Sequence, residues 1–307
     1  MRTLKLSSFK TFLQESVLVE GGNAVKIAMP IEQDKIKEAL PTLLSKLAFA
    51  LNIEQEDLEV LGSAGKKPAG ETSGDIDIGV RLPSVAQANG LEPDAALKLI
   101  DQVAHRFAKN GVKDHPIEKL YKPMPSLDVY SFGYKIGDQY AQIDLMPVSS
   151  LKYASWAYHA APEDMNKGLK GAHRNELLYA VAKFAGQDVT HQDDSGPVEV
   201  QRHFFDLSKG LLRGTQTRKG LSGKVGKNWR TVGEKPVVTN NPDKIAKILF
   251  GKKYKAKDLM TFNDVWDAIH DEEFPHKEHR EKIVSMARDG VKNKKLKMPK
   301  KLEETEE

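Results

Sequence analysis

The stretch LGSAGKKPAGETSGDIDIGV, residues 61–80, decides how the rest of the chain is interpreted. Its last six residues alternate polar and apolar side chains, which is the pattern of a half-buried β-strand. Because side chains two positions apart on a strand point to the same face, Asp75 and Asp77 share one face. The strand follows a glycine-rich loop that begins at Gly62 and Ser63. A loop of small residues lets a phosphate approach the backbone closely, and the Ser63 hydroxyl and N–H could both donate to it.

A third carboxylate lies in a later strand-like run. Asp144 is the charged residue of Gln142-Ile143-Asp144-Leu145-Met146, where a lone buried carboxylate would be costly. Three carboxylates in one place repel each other unless a cation neutralises them, and Mg²⁺ prefers oxygen ligands. The three aspartates therefore predict a metal site that could hold two ions. The open alternative for the pair at 75 and 77 is an exposed strand face with two solvated acids.

These residues resemble a known family. Gly62-Ser63 followed by Asp75-Ile76-Asp77 is similar to the signature of the polymerase-beta-like nucleotidyltransferases, and the resemblance covers about residues 25–185. It implies that Asp75 and Asp77 hold two Mg²⁺ ions, for which Mn²⁺ could substitute. It also implies that Asp144 holds the catalytic ion and helps to deprotonate an acceptor hydroxyl, while Ser63 contacts the terminal phosphates of a nucleoside triphosphate.

In the family, a helix after the sheet packs under the nucleotide. The segment 167–178, with its basic and glycine-spaced approach to a helix, fits that role and makes Lys170 and Arg174 candidate nucleotide ligands. Ordinary charge at a helix start is the alternative for these two residues. Lys66 and Lys67 in the glycine-rich loop, like Glu71 and His173, receive no role.

Charge divides the chain into an acidic front and a basic back. Residues 1–200 contain 22 basic and 27 acidic residues, whereas residues 201–300 contain 24 basic and 12 acidic ones. Such asymmetry favours a polyanionic partner for the back half, with aromatic side chains available to stack on unpaired bases. A solvated surface loop is the alternative. The predicted nucleic-acid contacts are Arg213, Arg218, Lys219, Lys224, Lys227 and Arg230.

Composition excludes several classes of protein. The 307 residues include no cysteine, which excludes disulfides, thiolate zinc sites, iron–sulfur clusters and a cysteine nucleophile. No apolar run approaches the ~20 residues of a membrane-spanning helix, so no membrane partner is expected. The chain opens without a signal peptide, which predicts a cytoplasmic location.

The N-terminal residues carry a second resemblance. The basic, amphipathic start that contains Leu13-Gln14-Glu15 is similar to targeting peptides of tailed-phage head proteins, which are cut after such a sequence. The resemblance implies a phage protein, in the host cytoplasm or packaged in the virion. A frayed N-terminal helix is the alternative.

The predicted fold class is α+β. It comprises a nucleotidyltransferase palm, which is a small mixed β-sheet with helices on one face, and a basic, partly helical C-terminal domain. The predicted domains are an N-terminal tail or targeting peptide at 1–22, the palm and following helix at 23–186, the basic domain at 187–292 and a disordered charged tail at 293–307. The expected elements are helices at 34–52, from 93, 174–184, from 242, from 262 and 276–293, a hairpin of 127–136 and 139–148, and a basic loop or twisted ribbon at 209–239.

The sequence thus leads to one expected function and two alternatives. The expected reaction is metal-dependent transfer of NMP, with AMP as the default, from an NTP to an RNA hydroxyl such as a tRNA 3′ end. The alternatives are transfer of AMP to a protein, with the basic half docking an acidic partner, and a non-catalytic phage virion protein that retains the palm. The identity of the acceptor and the oligomeric state stay open.

Overall fold

The computed structural model describes residues 24–68, 70–111, 115–124, 128–194, 196–220 and 225–303, which form a mixed α/β structure. The predicted mixture of helices and strands is confirmed, and the nucleotidyltransferase palm stays a prediction. The predicted N-terminal tail at 1–22, with its cleavage sequence, lies outside the described residues. Within the described ranges, no helix combines the length and the apolar character needed to cross a bilayer.

The front half is built on a five-stranded mixed sheet. Its strand order is β2-β4-β7-β6-β5, in which β4 and β7 are parallel and the other neighbours are antiparallel. Strands β6 and β7 form the predicted hairpin, turning at Gly137-Asp138. A separate pair joins β1 to β3. The strands of the front half are β1 (Ile31–Glu32), β2 (Leu58–Val60), β3 (Thr72–Ser73), β4 (Asp75–Arg81), β5 (Tyr121–Met124), β6 (Val129–Ile136) and β7 (Gln139–Val148).

Helices cover one face of this sheet. They are α1 (Gln33–Leu51), α2 (Leu82–Asn89) and α3 (Pro93–Gly111). Apolar side chains of β4, such as Ile76 and Ile78, join a buried core with Leu43 and Ile100 of the helices. Because side chains alternate along a strand, the aspartates of β4 lie on the opposite face, away from that core.

The back half contains a second sheet and most of the shorter helices. Strand order in this sheet is β11-β10-β9-β8, with β12 also paired to β10. The helices before this sheet are α4 (Leu151–Ala157), α5 (Pro162–Met165) and α6 (Gly171–Phe184). Its strands are β8 (Asp188–Asp193), β9 (Gly196–Asp206), β10 (Gly210–Lys219), β11 (Val225–Val232) and β12 (Val237–Thr239). The helices after it are α7 (Pro242–Phe250), α8 (Phe262–His270), α9 (Arg280–Asn293) and α10 (Lys300–Glu303).

Helix α6 belongs to the core of the back half, although the sequence grouped it with the palm. Leu177 and Val181 are fully buried in a cluster that also contains Phe250, Trp266 and Ile283. No residue of α6 is fully exposed, so other elements must pack around the whole helix. The C-terminal helices and the second sheet pack against it.

Where the structure describes the basic stretch 209–239, it forms paired strands of the second sheet, which agrees with the predicted twisted ribbon and not with the alternative of a loop. Strands β9 and β10 pair residue for residue from Gly210–Asp206 to Thr217–Glu199. Lysines and arginines at irregular spacings concealed the strand periodicity, because their long side chains can lie on either a solvated or a half-buried face.

The predicted disorder of the C-terminal tail is also wrong for residues 293–303. Helix α10 ends this segment, and Leu302 is fully buried in the back core. Arg288 Nε donates to the Leu302 carbonyl at 2.8 Å. The high charge of the tail hid a few apolar side chains, and these suffice to anchor it. Residues 304–307 lie outside the described residues.

Candidate metal centre

The three predicted aspartates meet on the uncovered face of the first sheet. Strands β4 and β7 are parallel neighbours whose register places Asp77 opposite Asp144 and Asp75 opposite Gln142. One carboxylate oxygen from each aspartate lies within 4.8 Å of the others. Asp144 is buried, and Asp75 and Asp77 are half-buried. The sequence supplied the residues, and strand pairing brings them together.

Burial raises the pKa of all three carboxyls, and repulsion between carboxylates raises it further at Asp77 and Asp144. Burial raises the pKa of Asp77 well above its usual value, and the charges of Asp75 and Asp144 raise it further. Burial, with a contribution from Asp75, raises the pKa of Asp144 to about 6. Burial also raises the pKa of Asp75, whereas the positive charges of Lys67 and Lys170 lower it. A bound cation would relieve this repulsion, because it favours the charged form of each carboxyl.

The donor set fits a hard divalent cation. All three groups are carboxylates, the ligands that Mg²⁺ and Mn²⁺ take in phosphate-handling sites. Gln142 holds one of them in place: its Nε2 donates to both carboxylate oxygens of Asp144, at 3.1 and 3.0 Å. The Gln142 Oε1 in turn accepts from the backbone N–H groups of Ala24 and Val25. Gln142 was not singled out from the sequence, although its position two residues before Asp144 on one strand puts both on the same face.

The Gly62-Ser63 turn lies directly against the acids. Leu61 N–H donates to the Asp77 carbonyl at 2.9 Å, which places the next residue beside the Asp77 side chain. Gly62 has φ +59°, and a Cβ at this position would lie 2.8 Å from Asp77 Oδ2. Glycine is therefore required here both by the backbone conformation and by the carboxylate. Ser63 is half-buried in the same turn, with its carbonyl accepting from Lys66 N–H.

Lysines surround the carboxylates. Lys66 Nζ donates to the Val60 carbonyl at 3.1 Å, and Lys67 Nζ donates to the Thr72 carbonyl at 2.8 Å. Lys66 lowers the pKa of Asp77, as Lys67 and Lys170 lower that of Asp75. Lys170 is exposed at the N-cap of α6. The two loop lysines that the sequence left without a role thus contribute positive charge at the acid cluster.

Arg174 is not available to a ligand, so its prediction as a nucleotide ligand is wrong. It is 0% exposed, and its Nε donates to the Leu259 carbonyl at 2.6 Å while Nη1 donates to the Trp156 carbonyl at 3.1 Å. The guanidinium also stacks over the Trp156 ring, and burial lowers the pKa of Arg174 to about 10. The side chain ties α6 to neighbouring segments because the first turn of α6 faces the core.

His173 also has a structural role. Its Nδ1 accepts from Lys170 N–H at 2.8 Å, which assigns the proton to Nε2, and Nε2 donates to the Lys297 carbonyl at 2.9 Å. His173 thereby caps the start of α6 and joins it to the C-terminal segment.

The predicted nucleic-acid contacts do not form one patch. Arg213 is ion-paired with Asp188 and donates to the Gly186 carbonyl, beside the end of α6. Arg218 lies over the ring of Trp229, on the other side of the sheet. Arg230 donates through Nε and Nη2 to the carbonyl of Lys219, the last residue of β10. Two further members cannot be placed, since Lys224 and the side chain of Lys227 lie outside the described residues.

Comparison of the chain with protein-family models gives no match, and a search of curated proteins gives none either. The family resemblance seen in the sequence thus stays a prediction.

Proposed function

We propose that this chain is a metal-dependent nucleotidyltransferase, which transfers NMP from an NTP to an acceptor hydroxyl. The default donor is ATP and the acceptor class is RNA. The observation that carries the proposal is the meeting of Asp75, Asp77 and Asp144 on one sheet face, with Gly62 pressed against Asp77. The three aspartates would hold two Mg²⁺ ions, for which Mn²⁺ could substitute.

The reaction would form a bond between the acceptor oxygen and the α-phosphorus. It would break the bond from that phosphorus to the oxygen bridging to the β-phosphorus, and pyrophosphate would leave. Bound metal ions supply charge neutralisation at the phosphates and favour ionisation of the hydroxyl.

Side chains of the chain would perform the remaining tasks. An oxygen of Asp144 would receive the hydroxyl proton. The Ser63 hydroxyl and the ammonium groups of Lys67 and Lys170 would bind the phosphates. Gly62 leaves the Asp77 carboxylate unobstructed.

The test is a labelling assay. The protein is incubated with each NTP carrying a radiolabelled α-phosphate, Mg²⁺, total RNA and cell lysate, beside an Asp75→Ala/Asp77→Ala variant. We expect label in RNA with ATP, and only background with the double variant. Label in a protein band instead would indicate transfer to a protein. No incorporation above the double variant with any NTP would contradict the proposal and favour a non-catalytic role.

A matched pair of glycine variants tests the observation itself. Gly62→Ala adds a methyl group against Asp77, whereas Gly70→Ala adds one at a similar positive φ (+83°) with nothing within 4 Å. The methyl group must displace the Asp77 carboxylate, and because a misplacement of about 1 Å can cost on the order of a hundredfold in rate, we expect a roughly tenfold to hundredfold loss for Gly62→Ala. Gly70→Ala should stay within about twofold of the parent, because the added methyl group meets no atom of the described residues within 4 Å and leaves the carboxylates in place. Equal rates for the two variants would mean that the close contact between Gly62 and Asp77 does not matter for the reaction, and it would then no longer support the proposed function.

A further inference from the structure

The two faces of the second sheet have different surroundings. The inner face packs on α6, where Phe205 meets the ring of Tyr179 and His203 Nδ1 bonds the Ala185 carbonyl. In an antiparallel pair, residues directly opposite each other share a face. The register pairs Arg202 with Gly214, Phe204 with Leu212 and Gln216 with Thr231, all on the side away from α6. We call this side, defined by Arg202, Phe204, Gln216, Arg218, Trp229 and Thr231, the outer face.

Aromatic rings and cations alternate on the outer face. The guanidinium carbons of Arg202 and Arg218 lie 4.9 and 5.5 Å from the centroid of the Trp229 ring. Lys235 Nζ lies 5.0 Å from the centroid of Phe204. Arg218 Nε donates to the Pro197 carbonyl at 2.8 Å, while Arg202 Nε has no hydrogen-bond partner among the described residues. A hydrogen bond therefore orients the Arg218 guanidinium, whereas Arg202 is placed by its contact with the Trp229 ring.

Arg202 and Arg218 lie on the outer face, whereas acidic residues of the sheet lie on both faces. Asp188 and Glu199 are paired with Gln201 and Thr217 on the inner face, and Asp193 and Asp206 are paired with Gly196 and Gly210 at the two ends of β9, on the outer face. The outer face also leaves apolar surface in water, since Val189 and Val237, opposite Val200 and Leu212, are 46% and 51% exposed. A positive surface with stacked planes and exposed apolar area is complementary to a chain of phosphates and unpaired bases.

We propose that the outer face binds an unpaired RNA strand, with bases stacking on Trp229 and the two guanidinium planes while Arg202, Arg218 and Lys235 neutralise phosphates. The proposal deepens the proposed function, on which it rests for the identification of the bound strand as the acceptor. It moves the contact surface away from Arg213 and Arg230 and adds Arg202, Phe204, Trp229 and Lys235. Base-paired RNA would bind more weakly, because its bases are already stacked on one another.

The test measures RNA binding without catalysis. A fluorescein-labelled 12-nucleotide single-stranded RNA is titrated with the full chain in EDTA at low salt, without NTP, and anisotropy is recorded. Trp229→Ala and the Arg202→Gln/Arg218→Gln double variant should each weaken binding by about tenfold or more. The arginine double variant should also lower the dependence of affinity on salt. Trp229→Phe, which keeps an aromatic ring, should remain within about threefold of the parent.

The matched control is Arg213→Gln, which removes a cation from the inner face of the same strand as Arg218. It should change affinity by less than about twofold. Thermal melts establish that each variant is folded. If Trp229→Ala does not fold, the double arginine variant still tests the proposal. Equal affinity of all variants, an equally large loss in Arg213→Gln, tighter binding of duplex RNA, or equally tight binding of polyglutamate would each overturn the proposal.

The titration and the labelling assay, both performed on the parent protein, separate this inference from the proposed function. RNA binding by the parent through the outer face, with no nucleotide incorporation by the parent above the Asp75→Ala/Asp77→Ala variant, would leave the inference standing and contradict the proposed function. The opposite result is also informative. If the outer-face variants leave both RNA affinity and incorporation into RNA unchanged, the proposed function would stand and the inference about the outer face would be wrong.

Discussion

Asp144 shows how much one residue depends on its neighbours. In sequence it is a single acid within a strand, and in the structure it faces Asp77 across a parallel strand pair while Gln142 donates to both of its oxygens. Burial raises the pKa of Asp144 to about 6. Because the folded-state pKa lies above the usual value, the protonated carboxyl stabilises the fold. That stabilisation is complete at pH values below the unfolded pKa and is lost as the pH rises through about 6.

Replacing Asp144 therefore has a predictable effect on stability. In EDTA at pH 8, Asp144→Asn should be more stable than the parent by on the order of 1–3 kcal/mol, because it removes one of three repelling charges. The advantage should shrink towards zero below about pH 4, where the parent carboxyl is protonated in both the folded and the unfolded state. Urea unfolding of the parent and the variant at several pH values measures the stability difference and its dependence on pH. A variant no more stable than the parent at pH 8 would contradict the raised pKa.

Helix α6 shows what an element can and cannot reveal by itself. Its apolar spacing predicts a helix, and the helix exists from Gly171 to Phe184. Its capping depends on His173 and on the distant Lys297, and its polar residues Arg174 and Glu176 are buried against other elements. Local patterns thus identify the helix, whereas its environment comes from segments about one hundred residues away.

The crossing of α6 and α9 gives a prediction for the pair of elements. Gly290 of α9 lies so close to Glu176 that a Cβ there would overlap the Glu176 carboxylate, which is ion-paired with Lys294 at 2.5 Å. Gly290→Ala should therefore lower the free energy of unfolding by about 1–3 kcal/mol, despite the better helix propensity of alanine.

The control lies on the same helix. Ser285 is exposed, so Ser285→Ala should change stability by no more than about 0.5 kcal/mol. Chemical denaturation of both variants gives the comparison. Stabilisation by Gly290→Ala would show that the helices cross at a greater distance than described.

At the scale of the whole molecule, the described residues form two large hydrophobic cores and one small cluster of Leu61, Val148 and Ala154. One large core lies between the first sheet and helices α1 to α3, and the other joins α4, α6, the second sheet and the C-terminal helices. The charged C-terminal segment contributes Leu302 to the second core. The two halves are also linked directly, because Ser149 N–H donates to the Ser208 carbonyl at 3.1 Å.

Leu302→Ala should therefore destabilise the protein although it lies in a segment rich in charge. Removing a fully buried leucine side chain costs about 2–5 kcal/mol, whereas the exposed Lys300 on the same turn should tolerate alanine within about 0.5 kcal/mol. Thermal melts of the two variants decide the matter, and equal melting temperatures would mean that the tail is not anchored in the core.

The sequence by itself determined the features that depend on near neighbours. The strand of Asp75 and Asp77, the hairpin of 127–136 and 139–148, and the helices from 242 and from 262 were all predicted. The N-caps of these two helices, Asn241 and Thr261, accept backbone N–H groups of Lys244 and Asp264. Each rests on periodicity or capping within a few residues, which is short-range physics that a single chain segment contains.

Only the tertiary structure decided which groups share a site. The register of β4 against β7 brings Asp144 to Asp77, and burial removes Arg174 from solvent. The pairing of β10 with β9 and with β11 makes the basic stretch part of a sheet. Arg218 and Arg213 of β10 then lie on opposite faces of that sheet. The physical reason is that register and burial are set by the sum of many contacts between distant segments, which no local pattern in the sequence encodes.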